Sequence, residues 1–237
     1  MLLRTDGAKL LTLHLTTMEG KGGGEKTSKF VIKGSVFEVF DYYTNLSYLG
    51  GGSYGTVVSA DDTRNDRKVA IKKITDVFKD LIDAKRIMRE VKLLKHMGPH
   101  ENVISILDLF TMPMNTEDFT DVYIVSNLMQ SDLERIIGSK QDLTDAHAKY
   151  FIYQLLRGIK YVHSSNILHR DLKPGNILVN SNCMLAICDF GLSRGISGDA
   201  NPDEELTEYV VTRWYRAPEL LTNCDSYGFA MDVWSIG

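Results

Sequence analysis

Long apolar runs, surplus positive charge and a usable set of cysteine pairs are all missing from this 237-residue chain. No stretch approaches the roughly 18 apolar residues a membrane-spanning helix needs, so a helical membrane protein is excluded. Lys and Arg number 27 against 31 Asp and Glu, a formal charge of −4. A general binder of nucleic acid or of membrane surfaces carries a basic excess, and neither partner is expected. Cys183, Cys188 and Cys224 cannot all pair, which argues against a disulfide framework and for a reducing compartment. What is present is 43% apolar residues, enough to bury a core, in a length that fits one large or two small domains. A soluble, intracellular, globular protein is the expectation.

Near the N-terminus the apolar stretch Leu10–Leu15 is short, broken by His14 and followed by no small-residue cleavage pattern, so it does not read as a secretory signal. Residues 20–29 read as a flexible linker, and residues 1–30 as a disordered leader. From Phe30 to Val69 short β-type runs are broken by glycine and Asp/Asn clusters. Between Asp76 and Met97 the apolar period becomes helical, with Phe78, Leu81, Ile82, Ile87, Met88, Val91 and Leu94 on one face and Pro99 ending the helix. Strands are predicted over Val103–Phe110 and Val122–Ser126, then helices near 132–138 and over 145–163, the latter entered through Thr144 with Phe151, Ile152, Leu155, Leu156, Ile159 and Val162 as its apolar face. The stretch Ser164–Asn223 is loop-rich. The reading is an α+β chain: a β-rich lobe with one helix over 31–128, then a helical lobe over 129–237.

Gly50-Gly51-Gly52-Ser53-Tyr54-Gly55-Thr56-Val57 fits G-x-G-x-x-G-x-V. Glycines let backbone amides approach phosphate oxygens where a Cβ would intrude. A dinucleotide fold would place a helix directly after the third glycine, whereas Thr56-Val57-Val58 continues as a strand. Lys72 closes Val69-Ala70-Ile71-Lys72, 17 residues past Gly55, on a strand too apolar to hold an unpaired ammonium. Its natural counter-charge is Glu90, which helical spacing puts on the face of Ile87 and Leu94. Together with the glycine loop, the pair points to phosphate anchoring.

His169-Arg170-Asp171-Leu172-Lys173-Pro174-Gly175-Asn176 is followed by Asp189-Phe190-Gly191 and then by Ala217-Pro218-Glu219. These motifs, in this order, resemble the signature set of protein kinases. The chemistry explains the residue types. Phosphoryl transfer needs a group to orient the attacking hydroxyl and accept its proton, the role of Asp171. It needs hard oxygen ligands for Mg²⁺, which Asn176 and Asp189 supply. Lys173 can place positive charge on the migrating phosphoryl group.

Thr207-Glu208-Tyr209 and Thr212-Arg213-Trp214-Tyr215-Arg216 resemble the activation lip of mitogen-activated protein kinases, the extracellular-signal-regulated branch in particular. The resemblance covers about residues 37–237. It implies a bilobal protein-kinase fold with an incomplete helical C-lobe, ATP and Mg²⁺ as cofactors, and transfer to Ser or Thr followed by proline. It implies nucleotide contacts at Gly50, Gly52, Gly55, Val57, Ala70, Lys72, the Met129 backbone, Asp132, Asn176 and Leu178, with the small Ser126 leaving the pocket behind the adenine open. It also implies phosphorylation of Thr207 and Tyr209 by an upstream dual-specificity kinase, removal of those phosphates by phosphatases, and a cytoplasmic protein with access to the nucleus. Between Ile196 and Glu208 there are five acids and no Lys or Arg, so the lip should stay loosely held until phosphates draw it to arginines. By similarity Arg89, Arg170 and Arg194 would gather phospho-Thr207, and Arg213 and Arg216 phospho-Tyr209.

Gly175 stands where the family usually has serine or another small residue, and Ala186, where it commonly has a basic residue, is expected to be exposed. Cys188 reads as a small buried hydrophobe. The chain stops at Gly237, inside what resembles the central helix of the larger lobe, and reads as a fragment whose site residues are intact. The alternative function is a non-catalytic, kinase-like decoy; the complete set Lys72, Glu90, Asp171, Asn176 and Asp189 favours the enzyme.

Overall fold

The computed structural model describes residues 26–52, 55–114, 118–195, 213–222 and 228–237. It divides into two compact units, one drawn from residues up to Met88 with Ser105–Leu128, the other from Arg89–Ile104 with Met129–Gly237.

The first unit is built on an antiparallel five-stranded sheet in the order β3-β4-β5-β7-β6, with β3 Tyr43–Gly52, β4 Gly55–Asp62, β5 Arg67–Ile74, β6 Ile106–Met112 and β7 Asp121–Asn127. Strand period 2 sorts each side chain to a face. In β5, Val69, Ile71 and Lys73 are buried while Ala70 and Lys72 alternate with them. Val58 and Ala60 of β4, Phe110 and Met112 of β6, and Tyr123 and Val125 of β7 join that inner face. Its aromatic centre has Phe110 stacked on Tyr123 at 4.8 Å between ring centroids, with Phe37 edge-on to Tyr123 at 6.1 Å.

Phe37 comes from a separate hairpin of β1 Thr27–Ile32 and β2 Ser35–Phe40. Lys33 and Gly34 form its two-residue turn with both φ angles positive, 49° and 81°, the turn whose twist matches paired strands. This corrects the sequence expectation that residues up to 30 form a disordered leader: Thr27–Phe30 pair with Phe37–Phe40. The burial of Phe37 and Val39, both 0% exposed, is what the run of polar residues before Phe30 conceals. Residues 1–25 lie outside the described residues.

Helix α1, Leu81–Met97, buries Ala84, Ile87, Val91 and Leu94 at alternating spacings of three and four, a core-facing stripe. It starts later than the sequence period implies, and Leu81 and Ile82 are 45% and 46% exposed. Asp80 accepts a hydrogen bond from the Ile82 amide at 2.7 Å and starts the helix there, which leaves Val77 and Phe78 before it. Gly98 at φ +75° stops it in the left-handed conformation glycine adopts without a Cβ clash. The strand expected over Val103–Phe110 runs instead over Ile106–Met112.

In the second unit, α2 spans Leu133–Gly138 and α3 Asp145–Ser164. Thr144 caps α3 in a capping box with His147. Phe151, Leu155, Ile159 and Val162 are buried with Gln154 and Gly158, whereas Ile152 and Leu156, expected on the same face, are 42% and 43% exposed. The buried stripe is narrower than the count of apolar residues implied. A three-stranded sheet in the order β11-β10-β8 joins Ser131–Asp132 (β8), Ile177–Val179 (β10) and Leu185–Ile187 (β11). All three residues of β11 are buried, so Ala186, expected to be exposed, is 5% exposed: both faces of the strand are covered. The pair β9 Ile167–Leu168 and β12 Arg194–Gly195 flanks the loop between them, and α4 Pro218–Leu221 and α5 Ala230–Ile236 complete the described chain.

Candidate active site

The loop His169–Asn176 is fixed from below by a buried carboxylate. Asp232 of α5, 0% exposed, accepts hydrogen bonds from the His169 and Arg170 amides and pairs with His163 Nε2, each at 2.8 Å. Burial pushes the Asp232 carboxyl up, but the His163 bond and the two backbone amides outweigh it and hold the group below its ordinary range. His169 is itself fully buried, edge-on to Phe190 at 4.8 Å. Its Nδ1 accepts from the Asp171 amide at 3.3 Å and its Nε2 lies 3.0 Å from the Cys188 carbonyl. The proton therefore sits on Nε2. One histidine thus links the loop before Asp171 to the segment before Asp189.

On Asp171, two donors converge on one oxygen. Lys173 Nζ donates to Oδ2 at 2.9 Å, and Asn176 Nδ2 donates to the same atom at 2.9 Å and to the Asp171 carbonyl at 2.8 Å. Neither bond uses Oδ1. With its amide nitrogen turned to Asp171, Asn176 presents Oδ1 as its remaining polar atom. The strand pairing Ile177↔Ile187 and the bond from the Cys188 amide to the Asn176 carbonyl at 3.0 Å bring Asn176 beside Asp189. Asp189 has φ +64°, a left-handed backbone that side chains other than Asn and Asp seldom take, and its Oδ1 accepts from the Gly191 amide at 3.4 Å. A carboxylate and an amide oxygen are hard donors that suit a divalent cation. The donor set therefore fits the metal that the resemblance implied. Among the described residues no group of three or more His, Cys, Asp or Glu forms a metal cage, and a cation bound through substrate phosphates does not need one.

The remaining nucleotide-contact candidates fall into two sets. In the first unit Gly50 faces Val57, Val57 faces Lys72, and Ala70 faces both Ser59 and Ser126. Cross-strand partners share a face, so Val57, Ala70, Lys72 and Ser126 lie together on the sheet face opposite the aromatic core. Gly52 and Gly55 pair across the hairpin tip. Gly55 has φ +133°, and a Cβ there would overlap the Lys73 carbonyl, so only glycine fits. In the second unit Leu178 faces Asp132, and Met129 Sδ accepts from Asn180 Nδ2 at 3.3 Å. Asp132 also acts locally, capping α2 through the Arg135 amide at 2.8 Å and pairing with Arg135 Nε at 3.1 Å. Glu90 is half-buried in α1.

Of the phosphate-binding candidates, Arg89 donates to the Gly191 carbonyl at 3.0 Å, Arg170 has φ +70°, and Arg194 pairs in the ladder with Leu168. Arg213 is exposed and Arg216 half-buried. Thr207, Tyr209 and Cys224 lie outside the described residues. Cys188 is half-buried rather than buried, with Sγ 3.4 Å from the Asn176 carbonyl.

Two residues that sequence reasoning did not single out stand out here. One is Asp232, whose only signal was an acid between apolar neighbours Met231 and Val233. The other is Lys73. It is 6% exposed, pairs with Asp121 at 2.8 Å, bonds the Val36 carbonyl and lies 5.6 Å from the centre of the Tyr123 ring. Two adjacent lysines on one strand thus go to opposite faces.

A family model described as the protein kinase domain matches residues 43–237. The chain is 55% identical over 203 residues to Mitogen-activated protein kinase 7 of Arabidopsis thaliana, covering 86% of this chain and 54% of that one. It is 53% identical over 221 residues to Mitogen-activated protein kinase 6 of Oryza sativa subsp. japonica, covering 92% and 57%. With Mitogen-activated protein kinase 4 of Arabidopsis thaliana it shares 51% over 230 residues, 92% and 60%. The chain spans about half the length of the curated relatives it matches.

Proposed function

Because this chain belongs to the protein kinase domain family, we propose that it serves a mitogen-activated protein kinase that transfers the γ-phosphoryl group of ATP to Ser or Thr followed by proline. The observation that carries the reading is the convergence of Lys173 and Asn176 on Asp171 Oδ2, with Asn176 drawn beside Asp189.

Each residue has a defined role. Asp171, held through Oδ2, has Oδ1 to accept the proton of the substrate hydroxyl and aim its oxygen at the phosphorus. Lys173 keeps a positive charge beside that exchange. Asn176 Oδ1 and the Asp189 carboxylate would hold Mg²⁺, which supplies charge neutralisation on the phosphate oxygens when bound. Gly50, Gly52 and Gly55 offer backbone amides without a Cβ in the way, and Lys72 an ammonium on the same strand face as Val57 and Ala70. Glu90 is the counter-charge proposed for Lys72. Met129 and Leu178 serve the adenine and Asp132 the ribose. Thr207 and Tyr209 are the proposed sites of activation by an upstream dual-specificity kinase, with Arg89, Arg170, Arg194, Arg213 and Arg216 as their phosphate receivers. The names of the relatives support that partner class.

The test is phosphoryl transfer to a Ser-Pro peptide, comparing the native sequence with Asp171→Asn after treatment with an activating dual-specificity kinase. Loss of the carboxylate should lower kcat by about 10²–10⁴-fold with nucleotide affinity kept. Undiminished turnover in Asp171→Asn would remove Asp171 from the role of base.

A further inference from the structure

Strand β11 leads directly into Cys188 and Asp189, and it is the outer strand of its three-stranded sheet. On its inner edge Ala186 faces Leu178 of β10. The outer edge would leave the N–H and C=O groups of Leu185 and Ile187 unpaired, a costly arrangement for buried backbone. A loop and a helix take up all four. The Ile187 amide donates to the Asn102 carbonyl, and the Ile104 amide donates to the Ile187 carbonyl, both at 2.9 Å. Asn102 Nδ2 donates to the Leu185 carbonyl at 3.0 Å and to Gln154 Oε1 at 3.3 Å. Gln154 Oε1 in turn accepts from the Leu185 amide at 3.0 Å, and its Nε2 donates to the Cys183 carbonyl at 2.8 Å.

This clasp is closed to water and to adjustment. Asn102 is 0% and Gln154 2% exposed. Asn102 Oδ1 is buried with no hydrogen-bond partner, so the side chain acts here only through its two donations. Helix α3 crosses at Gly158, where a Cβ would come within 2.9 Å of the Asn102 carbonyl and of Ile187 Cδ1. Two residues beyond Ile187, Asp189 holds its left-handed φ. Aspartate takes this conformation more readily than most side chains, and the fixed end of β11 sets where that left-handed residue falls.

We propose that Asn102, with Gln154 as its partner, is a positioning residue for the metal-binding Asp189, acting through β11 and not by contact with ligand. The proposal rests on the phosphoryl-transfer reading above, because it takes Asp189 as a metal ligand. Loosening the clasp lets β11 slide or turn, Asp189 moves with its end, and the oxygen pair with Asn176 is lost. Nucleotide contacts that do not involve the metal stay as they were.

The test is ADP binding to the 237-residue chain by calorimetry, with Mg²⁺ titrated against a chelator control, for the native sequence and Asn102→Ala. Amide hydrogen exchange at Ile187 and Cys188 is followed in parallel. Outer-shell partners of metal sites contribute about 10–100-fold to metal affinity. Asn102→Ala should therefore raise the Mg²⁺ midpoint about tenfold or more, keep Mg²⁺-free ADP affinity within about twofold, and speed exchange at Ile187. If Asn102→Ala does not unfold cooperatively, Gln154→Met, which opens the same clasp from the helix, should give the same split. An unchanged Mg²⁺ midpoint with faster exchange at Ile187 overturns the positioning role, as does an equal loss of ADP affinity with and without Mg²⁺. If the native chain binds ADP without regard to Mg²⁺, the reading of Asp189 as a ligand falls, and this inference with it.

Discussion

Replacing Asp232 by alanine should do more damage than any single change at the chemically active residues, although Asp232 performs no chemistry. Its carboxylate accepts from the buried His169 amide, from the half-buried Arg170 amide and from His163, all at 2.8 Å. Alanine removes every acceptor at once. Each buried donor left unpaired costs about 1–3 kcal/mol, and two orphaned amides place the loss near about 4 kcal/mol before the vacated volume is counted. That is a large share of the roughly 5–15 kcal/mol that holds a domain folded. Asp232→Asn keeps one carbonyl oxygen and should lose about half as much. Urea unfolding followed by circular dichroism reads both values, and the order Ala worse than Asn matters as much as the size. A loss below about 1 kcal/mol for Asp232→Ala, or equal losses for the two variants, would refute the claim that this carboxylate holds the His169–Arg170 turn.

The adjacent lysines of β5 should behave oppositely. Lys72→Met should abolish phosphoryl transfer with little change in unfolding midpoint. Lys73→Met, which removes the buried partner of Asp121, should cost about 1–3 kcal/mol in urea unfolding; equal effects on stability would contradict their assignment to opposite faces. Gly55→Ala, whose Cβ would overlap the Lys73 carbonyl, should disrupt the β3–β4 hairpin tip and weaken ATP binding by tenfold or more, against a control at Gly138, where a Cβ meets nothing within 4 Å. Asp62 is 1% exposed. Burial raises its pKa, and hydrogen bonds from Asn65 and Arg64 more than reverse that. Its folded value lies below the unfolded 3.8, so its contribution is complete above about pH 4 and is lost as pH falls through the folded value. Urea unfolding from pH 5 to pH 2 should show a shallower acid slope for Asp62→Asn than for the native chain, and identical slopes would exclude this linkage.

Local chemistry made much of this molecule legible in advance. Thr144 and the period of α3 carry its start and its core stripe, because a cap and a 3.6-residue repeat are properties of neighbours in sequence. The convergence on Asp171 could be read because Lys173 and Asn176 lie within five residues of it. What escaped depends on distant partners. Phe37 and Val39 are buried by strands far along the chain, so the polar run before them looked like a leader. Ala186 is covered on both faces by elements its own neighbours do not announce. Asp232 and Asn102 work through backbone groups more than 60 residues away in one case and more than 80 in the other, and no spacing rule reaches that far. Lys73 is the sharpest case: alternation alone puts it inward, but a lysine in an apolar face reads as an error until Asp121 and the Val36 carbonyl are seen beside it.

The proposed activity depends on binding of Mg²⁺ and ATP, and thermal unfolding of the purified 237-residue protein tests it most directly. A ligand at 100 times its Kd stabilises the folded state by about 2.7 kcal/mol. One cooperative transition is expected, moving upward with Mg²⁺ and ATP and not with ATP plus chelator. A midpoint indifferent to Mg²⁺ and ATP at millimolar concentration would contradict the proposed activity.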